Sequence, residues 1–412
     1  MTHSWIIARI AWRNIWRSPL RSGLLIASVA LGVWAGIFIM AFANGLNQQR
    51  TASVLLSGMG HLQLHADGYR KDPKLKTVLH QQQASVAVRA LDNLGWPNFS
   101  ARIRAEAMAS SSKSAAGVQL FGVEAEREAS INRVAQKMIA GEWLNGEASN
   151  TLVMGKKLAE KLDLTIGSRL VITTQSADEE LISIAFRVGG IYQTGNSAID
   201  EMQVFTDRKQ LTEHLELAPG DWHEMSILAH DPHQLEQAIS AIQLAVGPAI
   251  EVVPWTVLSP ELGYADEMMA NSLLIFMSII LFALAFGIIN NMLMAVLERR
   301  RELGMLMAVG MNMRRVFSMV MLETLMVTLL GGPTGMLLGY VTIQILLVYG
   351  LDLSLYSAGL EEYGIDTVIY PLLQAHWYAQ LALMVGLTAI LSGLIPAMRA
   401  LRMNPIETMR SL

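Results

Sequence analysis

Side chains that could do chemistry are scattered along residues 44–267 and form no complete catalytic set. Ser110 and Lys113 make an S-x-x-K pattern, in which a lysine activates a serine nucleophile, but neither S-D-N nor K-T-G accompanies it. His61 and His65 would share one face of a strand, as two metal ligands can, although a solvated strand face explains the same spacing. The motif H-E-x-x-H is absent from the sequence. The residue types therefore predict neither a catalytic residue nor a metal site.

Two further absences narrow the possible chemistry. The 412 residues include no cysteine, which excludes disulfides, thiolate catalysis, CxxC metal sites and iron–sulfur clusters. They contain no G-x-x-x-x-G-K-[ST], the loop that cradles the phosphates of ATP in P-loop proteins. The net charge of −4 disfavours nucleic acid as a partner, because phosphate binding needs a basic surface. We expect no cofactor in this chain and no nucleic-acid partner.

The densest group of charged residues is E-R-R-R-E at residues 298–302, between two apolar stretches. A short apolar segment follows it and ends at a glycine, which indicates a short helix at a membrane surface. Such a helix is explained either by arginines that set the membrane topology or by docking into a groove of a cytoplasmic motor protein. The candidate docking residues are Glu298, Arg299, Arg300, Arg301, Glu302, Gly304, Gly310 and Met311.

The uneven distribution of charge indicates what positions this cluster. The chain is 52% hydrophobic and 16% charged, against about a quarter charged in soluble domains. Residues 44–267 carry 46 of the 66 charged side chains, a near-normal density, and the rest of the chain carries only 20. The sequence therefore predicts one water-soluble domain inserted into a membrane-embedded frame.

Four stretches contain no charged residue and exceed the roughly 20 apolar residues that a helix needs to cross a bilayer. They are residues 22–43, 268–297, 324–351 and 367–398. Arginines are concentrated before the first stretch, between the second and third stretches, and after the fourth. They are Arg9, Arg13, Arg17, Arg21, Arg299, Arg300, Arg301, Arg314, Arg315, Arg399, Arg402 and Arg410. The loop between the third and fourth stretches contains no lysine or arginine, and its charged residues are all acidic: Asp352, Glu361, Glu362 and Asp366. The positive-inside rule then places both termini in the cytoplasm and the large domain outside.

A signal peptide is the alternative explanation of the first stretch. Residues 41–43 read A-F-A, an A-x-A cleavage site after a basic and an apolar region. Cleavage there would leave three spans with the same orientation.

Small and polar residues inside the spans predict close helix packing. Gly32 and Gly36, and likewise Gly335 and Gly339, are four residues apart, a spacing that lets helices approach closely. Glu323 must face protein or water, either as a structural partner of a neighbouring helix or as a coupling residue.

The second span makes about 45 Å of helix against a bilayer core of about 30 Å, so part of it is expected to project outward as a stalk.

The segment 44–267 has a mixed pattern. Alternating apolar and polar residues predict strands at 61–65, 117–123, 169–173, 182–189 and 225–229. Helical periodicity predicts helices at 128–139, 155–162, 206–217 and 232–246. The small, polar run 109–116 is expected to be a loop. The prediction is an α+β domain of two lobes, in which residues near 117–200 are inserted into the other lobe.

The membrane motifs resemble those of one protein family. E-R-R-R-E-L-G-M-L-M-A-V-G-M at residues 298–311 resembles the coupling-helix motif of the MacB/FtsX/LolC-LolE superfamily of ABC transporter permeases. Further resemblances lie at residues 11–17, at Leu322-Glu323 with the glycines 331, 332 and 335, and at residues 395–397 with 404–407. G-H-L-Q-L-H at 60–65 and G-E-W-L at 141–144 are most similar to the lipoprotein-releasing LolC/LolE branch.

The resemblance implies a type VII ABC permease with four transmembrane helices and a two-lobed α+β periplasmic domain between helices one and two. A cytoplasmic ATPase dimer, which binds ATP and Mg²⁺, would dock on residues 298–310, with Arg299, Arg300 and Arg301 available for its acidic groups. MacB carries a fused N-terminal ATPase that is not found here, so the motor is expected to be a separate subunit. ATP-driven closure of the ATPases would move the long helices and the periplasmic domain, a mechanism called mechanotransmission.

The resemblance also implies partners and a location. The chain would lie in the bacterial inner membrane beside a second permease copy or paralogue, and would work with a periplasmic carrier or adaptor. The expected function is release or extrusion of an amphipathic, acylated, lipoprotein-like substrate, with no enzymatic activity in this chain. The alternatives are MacB-like efflux of peptides or small toxic compounds with an adaptor, and FtsX-like signalling to a cell-wall hydrolase.

These inferences give one predicted order of segments. It comprises a cytoplasmic amphipathic helix (1–21), transmembrane helix 1 (22–43), the periplasmic domain (44–267), transmembrane helix 2 with its stalk (268–297), the coupling helix (298–315), transmembrane helix 3 (316–351), a periplasmic loop (352–370), transmembrane helix 4 (371–398) and a cytoplasmic tail (399–412).

Overall fold

Long helices at both ends of the chain flank a region of short strands and helices. The computed structural model describes residues 2–146, 150–231, 234–362 and 367–401. The helices are α1 Thr2–Arg17, α2 Pro19–Leu55, α3 Gln81–Asn93, α4 Ala125–Ile131, α5 Lys156–Leu162, α6 Ser197–Met202, α7 Arg208–His214, α8 Leu235–Val246, α9 Trp255–Leu258, α10 Pro260–Glu298, α11 Arg300–Ala308, α12 Met313–Tyr349, α13 Ser357–Glu362 and α14 Ala375–Leu401. The strands are β1 Leu62–Ala66, β2 Phe99–Ser110, β3 Ala115–Val123, β4 Met138–Gly141, β5 Thr151–Gly155, β6 Arg169–Gln175, β7 Leu181–Tyr192, β8 Gln203–Asp207, β9 Glu224–Ile227, β10 Ile250–Pro254, β11 Leu351–Asp352 and β12 Val368–Ile369.

The chain divides into two units. The helical unit comprises Met1–Asn47, Glu267–Asp352 and Val368–Leu412, and the β-rich unit comprises Gln48–Asp266 and Leu353–Thr367. Several predicted features lie outside the described residues. They are Asp366, Arg402, Arg410, the motif at 404–407 and the first two residues of the helix predicted at 232–246.

Four helices of the described chain, α2, α10, α12 and α14, are long and apolar enough to cross a membrane, and each contains most of one of the four stretches that predict a span. Two of them extend well beyond the stretches that predicted them. α2 continues 12 residues past residue 43, and α10 begins eight residues before residue 268. With 39 residues, α10 is about 58 Å long, nearly twice the thickness of a bilayer core.

Glycines allow the helices of the helical unit to pack closely. On α12, a Cβ at Gly335 would collide with the backbone carbonyl of Ala30 in α2, and one at Gly339 would lie 2.8 Å from an isoleucine side chain of α2. Gly32 and Gly36 of α2 instead face α10, where a Cβ would lie 2.9 and 3.6 Å from the nearest side-chain carbon. The two glycine pairs therefore serve two different helix contacts.

One lobe of the β-rich unit is a four-stranded antiparallel sheet in the order β10-β1-β9-β2. α3 connects β1 to β2 and α8 connects β9 to β10, which is the βαββαβ pattern of ferredoxin-like folds. Leu91 of α3 and Ile242 of α8 are fully buried in the same apolar core as Trp222 and Leu64 of β1. Amphipathic helices therefore cover one face of this sheet.

The other lobe is a closed ring of six strands. The order is β2-β3-β8-β5-β7-β6, and β6 pairs again with β2. α5 and α7 contribute Leu158 and Leu211 to its apolar core, and β4 extends the sheet beyond β7. β2 belongs to both lobes, because residues 99–102 pair with β9 and residues 103–110 pair with β3. The barrel is thus inserted in the middle of a strand.

The predicted α+β domain with one lobe inserted into another agrees with this architecture, and β1, β3, β6, β7 and β9 confirm the five predicted strands. The loop predicted at 109–116 is too long, because β2 reaches Ser110 and β3 begins at Ala115, which leaves only residues 111–114 as the turn between them. Ala109 and Ala116 are buried in the barrel core, so the small side chains reflect tight packing and not a loop. The insertion consequently begins at residue 103 and not near 117.

Two predicted helices are also corrected. The helix predicted at 128–139 is wrong, because α4 ends at Ile131, a 3₁₀ helix covers Arg133–Gln136 and β4 begins at Met138. The helix predicted at 206–217 begins as strand β8 and becomes α7 only at Arg208, where Asp207 caps it by accepting hydrogen bonds from two amides. In both places a strand adjoins a short helix, and an apolar periodicity of this length does not distinguish them.

Candidate functional site

The charged cluster lies at the turn between α10 and α12. α10 ends at Glu298, Arg299 leaves the helical conformation with φ −94° and ψ 16°, and the short helix α11 follows. Gly310 ends this segment at φ +107°, a conformation that glycine adopts without strain. Asn312 then caps α12 by accepting a hydrogen bond from the amide two residues further on. The sequence thus builds a short helix between two long ones.

Two arginines of the N-terminal segment bind the two glutamates of the cluster. Arg17, at the end of α1, contacts both oxygens of Glu302 at 2.9 and 3.0 Å. Arg21, in the first turn of α2, forms an ion pair with Glu298. These four side chains are 36–66% exposed, so each isolated pair adds at most about 1 kcal/mol. Both pairs connect the start of the chain to the segment around α11.

Arg299 extends this network into the interior of the helical unit. Its guanidinium donates to both oxygens of Glu323 at 3.3 and 3.4 Å and lies 3.4 Å from Glu302. The Glu323 side chain is only 13% exposed, and a carboxylate at such depth needs a partner. Of the two roles considered for Glu323, this contact favours that of a structural partner. Arg299 is engaged within the chain, which differs from the expectation that it is available to another protein.

The remaining predicted docking residues occupy different environments. Arg300 is half-buried, and its buried Nε atom makes no hydrogen bond. Arg301 is exposed and has a contact within the chain. Met311 is half-buried and packs against the apolar core of the helical unit.

α11 also presents an apolar surface to its surroundings. Leu303 and Gly304 are buried, whereas Met305, Leu306 and Val309 are 61%, 36% and 84% exposed. These last three residues are called the α11 apolar face below. Exposed apolar residues grouped in this way typically mark a surface that another molecule covers.

The pairing of Arg17 and Arg21 with the cluster is the main feature that the sequence analysis missed. In the sequence, both arginines indicated only the orientation of the spans. The signal was present, because Arg17 and Arg21 have the same spacing of four residues as Glu298 and Glu302. The partners are 277 and 285 residues apart in the chain, so only the fold brings them together.

The histidines and the lysine considered for chemistry in residues 44–267 have structural contacts instead. His61 accepts a hydrogen bond from the Ala229 amide at 3.1 Å, and burial lowers its pKa. The Nε2 atom of His65 lies 3.0 Å from Gln63 Oε1, and burial lowers the pKa of His65 as well. Lys113 forms an ion pair with an exposed aspartate. Across the described chain, no three His, Cys, Asp or Glu side chains are grouped to hold a metal ion.

Comparison with known proteins assigns the chain to a family. Residues 22–245 match the MacB-like periplasmic core domain, and residues 274–405 match the FtsX-like permease C-terminal domain. The chain belongs to the MacB/FtsX/LolC superfamily of ABC transporter permeases. The charged cluster, α11 and Glu323 all lie within the FtsX-like part of this permease.

Relatives of the permease include proteins of two branches. The lipoprotein-releasing system transmembrane protein LolC of Haemophilus influenzae is 23% identical to it over 98% of both chains. LolC of Neisseria meningitidis is also 23% identical, over 93% of this chain and 92% of the relative. The macrolide export ATP-binding/permease protein MacB of Nitrosomonas europaea is also 23% identical, over 98% of this chain. This chain spans 59% of the length of that MacB protein.

Proposed function

We propose that this permease couples ATP hydrolysis by a separate cytoplasmic ATPase dimer to motion of its periplasmic domain, and thereby releases an acylated, lipoprotein-like substrate from the inner membrane. The observation that carries the proposal is the α11 apolar face, exposed at a turn that a network of ion pairs joins to α1 and α2. A groove on the ATPase would cover this face. ATP and Mg²⁺ are bound by the ATPase in this proposal, and the permease contributes no catalytic residue.

The ion pairs of the cluster support a common membrane side for the N-terminus and α11. Arg17 and Arg21 contact Glu302 and Glu298, so the start of α2 and the α10–α12 turn lie at the same end of the helical unit. Both segments are rich in arginine, and the positive-inside rule assigns such an end to the cytoplasm. In this proposal both termini are cytoplasmic and the β-rich unit is periplasmic.

The continuity of two helices supports a mechanical transmission. α2 runs without interruption from the first turn that binds Glu298 to Leu55, and α10 runs from Pro260 to the charged cluster. A change in the position of α11 would therefore act on helices that continue beyond the thickness of a bilayer core. Closure of the ATPase dimer is the proposed source of that change.

A cleft between α10 and α14 supports an acyl chain as part of the substrate. The cleft has a volume of about 410 Å³, and its lining includes Phe282, Ile289, Leu387 and Leu391. Apolar side chains of this kind suit a fatty acyl chain. The similarity to LolC over nearly the whole length of both chains supports the same class of substrate.

Affinity purification of the tagged chain from native membranes in mild detergent, followed by mass spectrometry, tests the proposal. We expect an ATPase together with a second permease or an acylated lipoprotein. Val309→Asp, which places a charge in the α11 apolar face, should abolish retention of the ATPase. Leu244→Asp is the matched control, because Val309 and Leu244 are equally exposed, at 84% and 85%, and Leu244 lies on α8 of the β-rich unit. Equal loss or equal retention of the ATPase in the two variants would contradict the proposal.

MacB-like efflux is the second candidate function, and the match of residues 22–245 to the MacB-like periplasmic core domain favours it. It keeps the ATPase and changes the cargo to peptides or small toxic compounds. The same purification distinguishes the two, because an exporter should retain an adaptor and no acylated lipoprotein. Retention of a cell-wall hydrolase would instead indicate FtsX-like signalling.

A further inference from the structure

A fully buried arginine lies in the β-rich unit. The Arg102 side chain is 3% exposed and binds Glu128 at 2.7 and 2.8 Å and Glu224 at 3.1 Å. It also donates to Ser226 Oγ at 3.0 Å. Burial alone would raise the pKa of Glu224, but the positive charges of Arg102 and Arg104 contribute to holding it below its ordinary value. The pair of Arg102 and Glu224 is therefore charged as well as buried.

Arg102 lies where β2 passes from one lobe to the other. Residues 99–102 pair with β9 of the four-stranded sheet, and residue 103 begins the pairing with β3 of the barrel. Glu224 is the first residue of β9, and Glu128 lies on α4, which follows β3. The guanidinium thus binds one carboxylate from each lobe.

The same guanidinium binds the segment that leaves α2. It donates to the carbonyl of Gly58, which follows the end of α2 by three residues. Gly58 has φ +109°, and a Cβ there would lie 3.0 Å from Arg102 Nη2 and from Asn132 Nδ2, so only glycine fits without strain. The Arg133 amide donates to the Leu56 carbonyl at 2.8 Å, which ties the same segment to the barrel lobe.

Stability alone does not explain this arrangement. Removing three charges from water carries a large free-energy cost, which their mutual attraction offsets only when the hydrogen bonds are good. Apolar residues of similar volume are often equally stabilising at such positions. They cannot, however, form directed bonds to three separate parts of the chain. What the buried charges add is therefore geometric.

We propose that Arg102 is a positioning residue that holds the end of α2, the four-stranded sheet and the barrel in one fixed arrangement. The purpose of this arrangement rests on the function proposed above, because motion transmitted by α2 would reach both lobes at the junction that this side chain holds together. The arrangement itself is a property of the permease alone and is tested without an ATPase.

Distance measurements between spin labels test the proposal in the full-length chain in detergent. Because the sequence has no cysteine, labels go only to introduced ones, in the pairs A52C/R89C and A52C/E160C. Ala52 is exposed on α2, Arg89 on α3 of the first lobe and Glu160 on α5 of the barrel lobe. The variant R102M/E128M/E224M replaces all three charges with apolar side chains and remains informative where R102M alone fails to fold. We expect both distance distributions to broaden about twofold while the thermal midpoint stays near that of the unsubstituted chain.

Asp200→Asn is the matched control. Asp200 is a buried carboxylate of the barrel lobe that accepts hydrogen bonds from the Thr194 amide at 3.0 Å and the Thr194 hydroxyl at 2.7 Å. This variant should lower the thermal midpoint and leave both distributions narrow. The proposal is overturned if the triple variant keeps both distributions narrow, or if D200N broadens them equally. Failure to retain an ATPase would contradict the proposed function and leave this result unchanged.

Discussion

Single charged residues of this permease are explained by where their partners lie. Arg102 and Glu224 are almost completely buried, and each would be strongly destabilising without the other. Arg17 and Glu302 are exposed, so their pair adds little stability, but it belongs to a network that includes Arg299. Burial thus separates residues whose loss should disrupt folding from residues whose loss should change only the position of α11.

Reversing the charge of Arg17 tests the role of the exposed charged residues. R17E places two acidic side chains together and should weaken binding of the ATPase by up to about fivefold, which corresponds to about 1 kcal/mol. The double variant R17E/E302R restores an ion pair of opposite polarity and should recover binding. Titration of the purified permease with the ATPase measures both. Binding that is equally weak in the single and the double variant would contradict a role of this pair.

The buried His223 predicts how the stability of the β-rich unit depends on pH. Its Nδ1 accepts from the Arg104 amide at 3.2 Å and its Nε2 donates to the Leu75 carbonyl at 3.0 Å, so both nitrogens suit the neutral ring. Burial lowers the pKa of His223 below 6.5, its ordinary value. At a pH between the two pKa values, His223 binds a proton in the unfolded chain but not in the folded chain. The free energy of unfolding therefore falls as the pH decreases from about 6.5 toward the pKa of His223 in the folded chain.

Thermal unfolding at pH 7.5 and pH 5.5 measures this effect. The thermal midpoint of the permease should be lower at pH 5.5. His223→Gln keeps one acceptor and one donor and removes the titrating group, so its midpoint should change less between the two pH values. An identical change in the variant and the unsubstituted chain would exclude His223 as a source of the pH dependence.

At the scale of elements, the packing of α12 against α2 depends on Gly335. Alanine at an unhindered helical position stabilises by about 1 kcal/mol relative to glycine. At Gly335 a Cβ would collide with the Ala30 carbonyl, and separating the helices should cost about 1–3 kcal/mol. G335A should therefore lower the unfolding midpoint in detergent. Gly287 of α10 has no neighbour within 4 Å of the Cβ position, so G287A should be neutral or stabilising. Equal unfolding midpoints of G335A and G287A would contradict a close contact between α12 and α2 at Gly335.

Elements marked by a long stretch of one residue type were predictable from the sequence. Elements that depend on contacts between residues far apart in the chain were not. The four spans follow from their freedom from charge, because a bilayer imposes that property along the whole helix. Only the end of β2, at residues 109–110, fell within the loop predicted at 109–116, because the small and polar side chains of that run lack the large apolar residues that mark a strand. The junction at Arg102 could not be foreseen, since its partners Glu128 and Glu224 lie 26 and 122 residues away.

The candidate site was predictable only in part for the same reason. The position of α11 follows from a charged cluster and a glycine, both local features. The engagement of Arg299 with Glu323 was not predictable, because it depends on the packing of α12 beside the end of α10. Local sequence therefore predicted the position of α11, and tertiary contacts decided which of the residues around it face outward.

For the whole molecule, the proposed orientation places α11 and α8 on opposite sides of the membrane. The absence of native cysteine allows single cysteines to report on this. A membrane-impermeant maleimide should label L244C on α8 in intact spheroplasts, and should label A308C at the end of α11 only after the membrane is opened. Both side chains are exposed, so accessibility reports on the membrane side. Labelling of A308C in intact spheroplasts would contradict a cytoplasmic α11.

Release of an acylated protein from the membrane, driven by ATP hydrolysis in the partner, is the activity that we propose for this permease. The most direct test uses spheroplasts or proteoliposomes that contain the permease with its co-purified ATPase and measures acylated protein transferred to the soluble fraction. We predict release with ATP, none without nucleotide, and none with ATP in the Val309→Asp variant. Release that is independent of nucleotide, or a permease complex that hydrolyses ATP and releases no acylated protein, would contradict the proposed function.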